Sequence, residues 1–286
     1  MRLPDFIIGG VQKSGTTLLH SLLLNHPQVK MLDRNMDYSY FDDDRLFTKG
    51  FDWYRQLFAP LEATWTADSI IGQTSADCAF NPQAVPRILE VMPKTKLIFV
   101  LRHPIERTYS LYWHQYSMAR EHYRFEKAIA LEPDRIKKSY HNFKHYSYLG
   151  RSRYKRQFDK ILSLVPPEKM ILLPFDALTK QTLPTVNRIF EFLGVSPVFN
   201  LEELNYSTLP RNSARIPTNH TAVIASSYLQ KLGFLSVGRR LVNSFRVEQR
   251  PPAMNPNTKK LLEEELAEDI AFFESVKSEF TASLKG

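Results

Sequence analysis

With 286 residues, 43% of them apolar and 12% aromatic, the chain can bury a sizeable core, which excludes a disordered or low-complexity protein. A formal net charge of +8 suits an anionic ligand, with nucleic acid as the bland alternative. The lone cysteine, Cys78, excludes an intrachain disulfide and a cysteine metal cluster and points to a cytoplasmic, reducing home.

The first apolar run begins within a few residues of Met1, and no run has spanning length. An unprocessed chain without a signal peptide or a transmembrane segment is therefore expected. Phe6-Ile7-Ile8-Gly9-Gly10 followed by Val11-Gln12-Lys13-Ser14-Gly15 and Thr16-Thr17-Leu18-Leu19 reads as strand, loop and helix. Gly9, Gly10 and Gly15 allow close backbone approach, and the N–H groups of the helix start form an anion site. Gly10 and Gly15 have the spacing of a Walker A loop. Thr16, however, occupies the position of its lysine, and the cation sits earlier, at Lys13.

Leu18, Leu19, Leu22 and Leu23 give the first helix its core face, and His26-Pro27 ends it. Lys30 to Phe41 has no clean period and is expected to be a loop bordering a site. Phe51 to Phe58 is expected to be helical, closed by Pro60. Ile70-Ile71-Gly72 reads as a buried strand emptying into the polar loop Gln73-Thr74-Ser75-Ala76-Asp77, and open parallel sheets bind ligands at such ends. Pro82 to Val91 has helix character. Lys96 to Leu101 is the clearest strand, broken by Arg102-His103-Pro104, and helix signals resume at Ile105.

Arg120 to Arg156 is strongly basic and aromatic, and much of it is expected to be a solvated helix face. Tyr154 to Val165 continues as a helix stopped by Pro166-Pro167. Lys169 to Leu173 is a further strand, and Val186, Ile189, Phe190 and Leu193 line a helix that ends at Gly194. Asn205 to Asn219 is expected to be a polar loop bearing Arg211 and Arg215, and a long helix is expected over about Asn257 to Lys277. Alternating strands and helices predict a single α/β domain over 1–286, with a central, mostly parallel sheet flanked by helices.

Two strands thus end in phosphate-competent turns, one at Lys13 to Thr17 and one at Arg102. Ser110, two turns into the next helix, can share a phosphate with Arg102. Two separate sites imply a ligand phosphorylated at both ends of a nucleoside rather than a triphosphate. On this basis a P-loop kinase or NTPase ranks second. A basic polyanion-binding module ranks third.

At these residues the sequence resembles the PAPS-dependent sulfotransferases, PAPS being 3′-phosphoadenosine 5′-phosphosulfate. Gly10-Val11-Gln12-Lys13-Ser14-Gly15-Thr16-Thr17 is similar to their 5′-phosphosulfate loop. Leu101-Arg102-His103-Pro104-Ile105-Glu106-Arg107-Thr108-Tyr109-Ser110 is similar to the 3′-phosphate motif of the heparan-sulfate and carbohydrate branch, with His103 in place of Asn or Asp. Gly50 to Tyr54, Tyr148-Leu149-Gly150 with Tyr154, Phe192-Leu193-Gly194 and the C-terminal helix extend the likeness over nearly the whole chain.

The resemblance implies a P-loop-like fold and transfer of a sulfuryl group from PAPS, leaving PAP. The acceptor would be a hydroxyl, less readily an amine, of a carbohydrate or other small molecule, with no metal and no nucleic acid. It implies that Gln12, Lys13, Ser14, Gly15, Thr16 and Thr17 hold the 5′ end, with Lys13 at the bridging oxygen, and that Arg102 and Ser110 hold the 3′-phosphate. Tyr148, Arg211 and Arg215 are further nucleotide candidates. Asp37, four residues before Phe41, matches the place of the family's carboxylate base. A histidine base is the alternative, with His20, His114, His141 and His145 as candidates. The family's lysine near Thr74 is missing, since the loop reads Gly72-Gln73-Thr74-Ser75-Ala76. The motifs name neither the acceptor nor the oligomeric state.

Overall fold

The computed structural model describes residues 2–32, 39–209 and 215–284, with Arg215 described through its backbone alone. By contact the chain falls into two compact units. The first comprises Met1–Arg102, Tyr154–Pro210 and Ala271–Gly286, and the second His103–Arg153 and Arg211–Ile270.

The first unit is built on five strands: β1 (Phe6–Gly10), β2 (Val29–Met31), β3 (Ile70–Thr74), β4 (Lys96–Leu101) and β5 (Met170–Pro174). They lie in the order β2-β3-β1-β4-β5, and every neighbouring pair is parallel. Parallel strands are covered on both faces, so they read as continuous apolar runs, and Phe6, Ile7 and Ile8 are all wholly buried. Alternation sends Ile7, Leu97 and Phe99 to one face, against Val85, Ile88 and Phe158. Phe6, Ile8, Ile98 and Val100 go to the other, against Leu19, Leu22, Ile189 and Phe190.

The helix Thr16–Leu24, which follows β1, packs on the second of these faces, and the helix Ala84–Val91, which follows β3, packs on the first. The chain therefore leaves adjacent strand tips toward opposite faces. That divergence opens a crevice at the carboxyl ends of β1 and β3. Gly194, at a φ of 82°, closes the helix Thr182–Leu193 by donating its N–H to the Phe190 carbonyl at 2.8 Å.

The second unit is mainly helical. Its core joins Leu111, Tyr112 and Tyr116 of the helix Pro104–Ser117 to Phe125, Tyr148, Val223, Val242 and Leu262. A small antiparallel pair, β6 (Arg215–Pro217) and β7 (Arg246–Glu248), completes it. The basic stretch divides: Arg124, Lys127, Lys137, Lys138, Lys155 and Arg156 are exposed, as a solvated face requires, while other members are internal framework. Arg151 is 1% exposed, and Arg135 pairs with the buried Glu121 at 2.5 Å. Glu121 also accepts from the Tyr148 hydroxyl at 2.7 Å and from the N–H groups of His122 and Tyr123. A buried carboxylate needs that many donors to offset its lost hydration.

Other expectations change with the structure. Lys30 lies within β2, and Arg215–Pro217 forms a strand inside the expected polar loop. The sequence reading passed over two helices, His220–Lys231 and Leu235–Asn243. The C-terminal helix is broken at Leu266 into Pro256–Glu265 and Ala267–Ser283. Among the described residues, no helix is long and apolar enough to cross a membrane.

Candidate active site

The loop after β1 is shaped by its backbone. Lys13 and Gly15 are left-handed, at φ 72° and 92°, with Ser14 between them on the negative side, a pattern that turns successive N–H groups to one side. Gly15 begins the helix Thr16–Leu24 with no side-chain cap and no acidic residue in the first turn. The helix itself therefore supplies no carboxylate to compete for its first-turn N–H groups and the positive end of its dipole. The loop is held from below, where Val11 donates its N–H to the Val100 carbonyl at 2.9 Å and Ser14 to the Val11 carbonyl at 3.1 Å. On the β3 side, Ser75 N–H reaches the Ile8 carbonyl at 2.9 Å and Ala79 N–H the Gly9 carbonyl at 3.2 Å.

Four polar side chains at these tips have buried atoms without a hydrogen-bond partner: Gln12 Oε1, Ser14 Oγ, both polar atoms of Gln73 and Ser75 Oγ. Buried polar groups are nearly always satisfied, so unpartnered ones gathered at the mouth of a parallel sheet fit a polar ligand. His20 is not part of that unsatisfied set. It is 3% exposed, and its Nδ1 lies 3.0 Å from Thr74 Oγ1.

Phe175 connects the two phosphate-competent turns. The β4–β5 register pairs Leu101 with Pro174, so Arg102 and Phe175 leave the sheet side by side. The Arg102 guanidinium lies 5.3 Å from the Phe175 ring centroid, and a Cβ on Gly15 would come within 2.6 Å of that ring. The main chain at Arg102 is pinned as well, its carbonyl accepting from the Tyr154 hydroxyl at 2.9 Å. Phe175 was missed in the sequence because no local motif marks it. Its place one residue past the strand beside Arg102 was the available signal.

The first unit therefore brings together Gln12, Lys13, Ser14, Gly15, Thr16, Thr17 and Arg102. Ser110 is carried half-buried on the helix Pro104–Ser117 of the second unit. Tyr148 is wholly buried there. Its hydroxyl is given to Glu121, and its carbonyl accepts from Arg107. Asp37 and Arg211 lie outside the described residues, as does the side chain of Arg215. Of the remaining histidine candidates, His141 and His145 lie with ring centroids 4.4 Å apart and planes tilted by 59°. Burial, with Arg120, His141, Lys144 and Arg151 nearby, holds the His145 imidazole down to about 3. His114 is half-buried on the helix Pro104–Ser117.

Comparison with known proteins bears on this arrangement. Residues 3–230 match the family described as the sulfotransferase domain. The human bifunctional heparan sulfate N-deacetylase/N-sulfotransferase 3 is 29% identical over 210 residues, which is 71% of this chain and 23% of that protein. The mouse heparan sulfate glucosamine 3-O-sulfotransferase 5 is 27% identical over 201 residues, 68% of this chain and 55% of that protein. The chain thus spans only part of the length of these relatives. In fold it is similar to a sulfotransferase from Alicyclobacillus acidocaldarius, with a TM-score of 0.59 and 21% identity over 85% of this chain and 96% of that one. A mouse sulfotransferase complexed with PAP gives 0.54 and 13% identity, over 99% and 90%. Because the matched region takes in well over half of the sequence, from the anion loop past Arg102 and Ser110, the chain belongs to the sulfotransferase domain family.

Proposed function

We propose that the chain moves the sulfuryl group of PAPS to a hydroxyl, less readily an amine, of a carbohydrate acceptor, leaving PAP. The observation that carries this reading is the Phe175 ring shared by Gly15 and Arg102, which sets an anion loop and a second cation at neighbouring strand tips. The unpartnered Ser14 Oγ, a hydroxyl that can donate, and the first-turn N–H groups of Thr16 and Thr17 fit a phosphosulfate. Arg102 is the proposed 3′-phosphate ligand, and the motif adds Ser110. The relatives named for heparan sulfate support a sugar acceptor. A cytoplasmic home rests on the single cysteine alone.

The bound donor supplies an activated sulfuryl group with a phosphate as its leaving group. The Lys13 ammonium offsets the charge that grows on the bridging oxygen as the S–O bond breaks. As the acceptor oxygen forms its bond to sulfur, its proton goes to a base and the electron pair of the broken bond stays with the phosphate. Asp37 is the proposed base. Two observations weigh against His20 and His145: the first is buried on Thr74, and the second is too weakly basic to draw a proton from a hydroxyl. Tyr148 is assigned a positioning part behind the motif helix, since its polar atoms are engaged by Glu121 and Arg107. Arg211 and Arg215 are proposed to close over the nucleotide.

Thermal denaturation with PAP tests the donor, with ATP and Mg²⁺ as the parallel arm. Stabilisation by PAP alone is expected, and stabilisation by ATP with Mg²⁺ alone would return the kinase reading. Transfer of label from PAPS onto pooled sugars tests the acceptor. Full turnover by Asp37→Asn would remove Asp37 as the base.

A further inference from the structure

The helices His220–Lys231 and Leu235–Asn243 form a hairpin in the second unit whose tip is dressed unlike the rest of the surface. Its turn is ordered by hydrogen bonds. Gly233, at a φ of 92°, donates its N–H to the Gln230 carbonyl at 3.1 Å, and Phe234 donates to the Leu229 carbonyl at 2.9 Å. The inner faces already supply the core through Val223 and Val242, and Ser226 Oγ donates to the Gly238 carbonyl at 2.6 Å. The apolar side chains left outside are largely in solvent, although Tyr228 lies against the His122 ring at 6.1 Å. Leu232 is 72% exposed and Phe234 56%, with Tyr228, Leu235 and Val237 each half exposed or more. Five large apolar groups on one tip exceed the scattered exposure that soluble surfaces carry.

The charge carried by the hairpin has one sign. No Asp or Glu occurs between Glu203 and Glu248, while Lys231, Arg239 and Arg240 are all exposed on the hairpin itself. We infer that this tip docks on the surface of an anionic phospholipid bilayer, with Leu232, Phe234 and Leu235 entering the acyl boundary and the three cations at headgroup level. Both halves of the surface are then used, since interfacial binding scales with buried apolar area plus attraction to anionic lipid. A free polyanionic glycan would use the cations and leave the leucines and the phenylalanine in water. A second copy would bring Lys231, Arg239 and Arg240 against their own equivalents.

Cosedimentation of the full chain with phosphatidylcholine vesicles, with and without phosphatidylserine, tests the inference. Each cation near the surface is worth about fivefold, so binding at least about tenfold greater to the serine-containing vesicles is expected, weakening as salt is raised. Leu232→Ser with Phe234→Ser is expected to cut that binding about tenfold with little change in melting temperature, because both side chains are more than half exposed. If that pair disturbs folding, Lys231→Glu with Arg239→Glu is the second variant and is expected to lose the preference for phosphatidylserine. The inference is overturned if neither vesicle binds, if both bind equally, if binding survives the substitutions, or if they abolish only self-association in light scattering.

Discussion

Arg102 is worth singling out among the residues because its backbone and side chain are each held by an aromatic, Tyr154 and Phe175, before any ligand is considered. A cation positioned in this way gives up little freedom on binding an anion. A hydrogen bond to a charged group is worth about 1.5–3 kcal/mol, so Arg102→Ala is expected to weaken PAP binding by roughly 10- to 100-fold in calorimetry. Unchanged affinity would remove Arg102 from the site. His145 makes a different kind of prediction. Its imidazole titrates near 6.5 when the chain is unfolded and only at about 3 when folded, so the folded state binds fewer protons in between. Stability present above 6.5 is therefore lost as pH falls through that window. Urea midpoints measured from pH 7 down to pH 5 should decline, and His145→Gln should flatten the decline. Parallel slopes would assign the loss to other groups.

At the scale of elements, the loop and the helix after it depend on one missing side chain. Gly15→Ala would place a Cβ within 2.6 Å of the Phe175 ring at a φ of 92°, which L side chains avoid. A loss of about 1–3 kcal/mol from overpacking, and weaker PAP binding through a displaced Phe175 and Arg102, should follow in denaturant and binding assays. The hairpin has its own close contact. A Cβ on Gly238 would sit 2.8 Å from the Ser226 carbonyl oxygen, a backbone atom that cannot swing aside. Alanine gains about 1 kcal/mol in helix propensity but meets about 1–3 kcal/mol of overpacking, so Gly238→Ala is expected to destabilise by roughly 1 kcal/mol net. A stabilised variant would show that the two helices separate easily.

The same elements show how much the sequence revealed. β1, β4 and β5 were legible because strands buried on both faces must be apolar throughout, and Lys13 and Arg102 because they lie at those strands' ends. β2, β6 and β7 have three residues each, too few for a period to show. The helix His220–Lys231 buries Ala222, Ser226 and Ser227 beside Val223, so close packing by small side chains replaced the apolar stripe a pattern search needs. The contact of Phe175 with Arg102 is made through space, by register, and has no local signature, while Tyr148 has its motif but nothing in it that shows the bond to Glu121.

Across the whole molecule, the positive charge is less available than the composition suggests. Arg135, Arg151 and Arg153 are engaged with Glu121, the Lys144 carbonyl and Glu265. Arg124, Lys127, Lys137, Lys138, Lys155 and Arg156 of the basic stretch stay exposed, as do Lys231, Arg239 and Arg240 on the hairpin. The family match crosses both units, so the sequence signal belongs to the chain as a whole even though its contacts divide. β1 is the middle strand, bonded to β3 on one side and β4 on the other and buried on both faces. Its amides reach solvent only when the sheet parts, so deuterium uptake at Ile7 and Ile8 should report the global unfolding free energy. The anion loop, rooted in the slowest-exchanging strand, would then stay formed until the unit itself is lost.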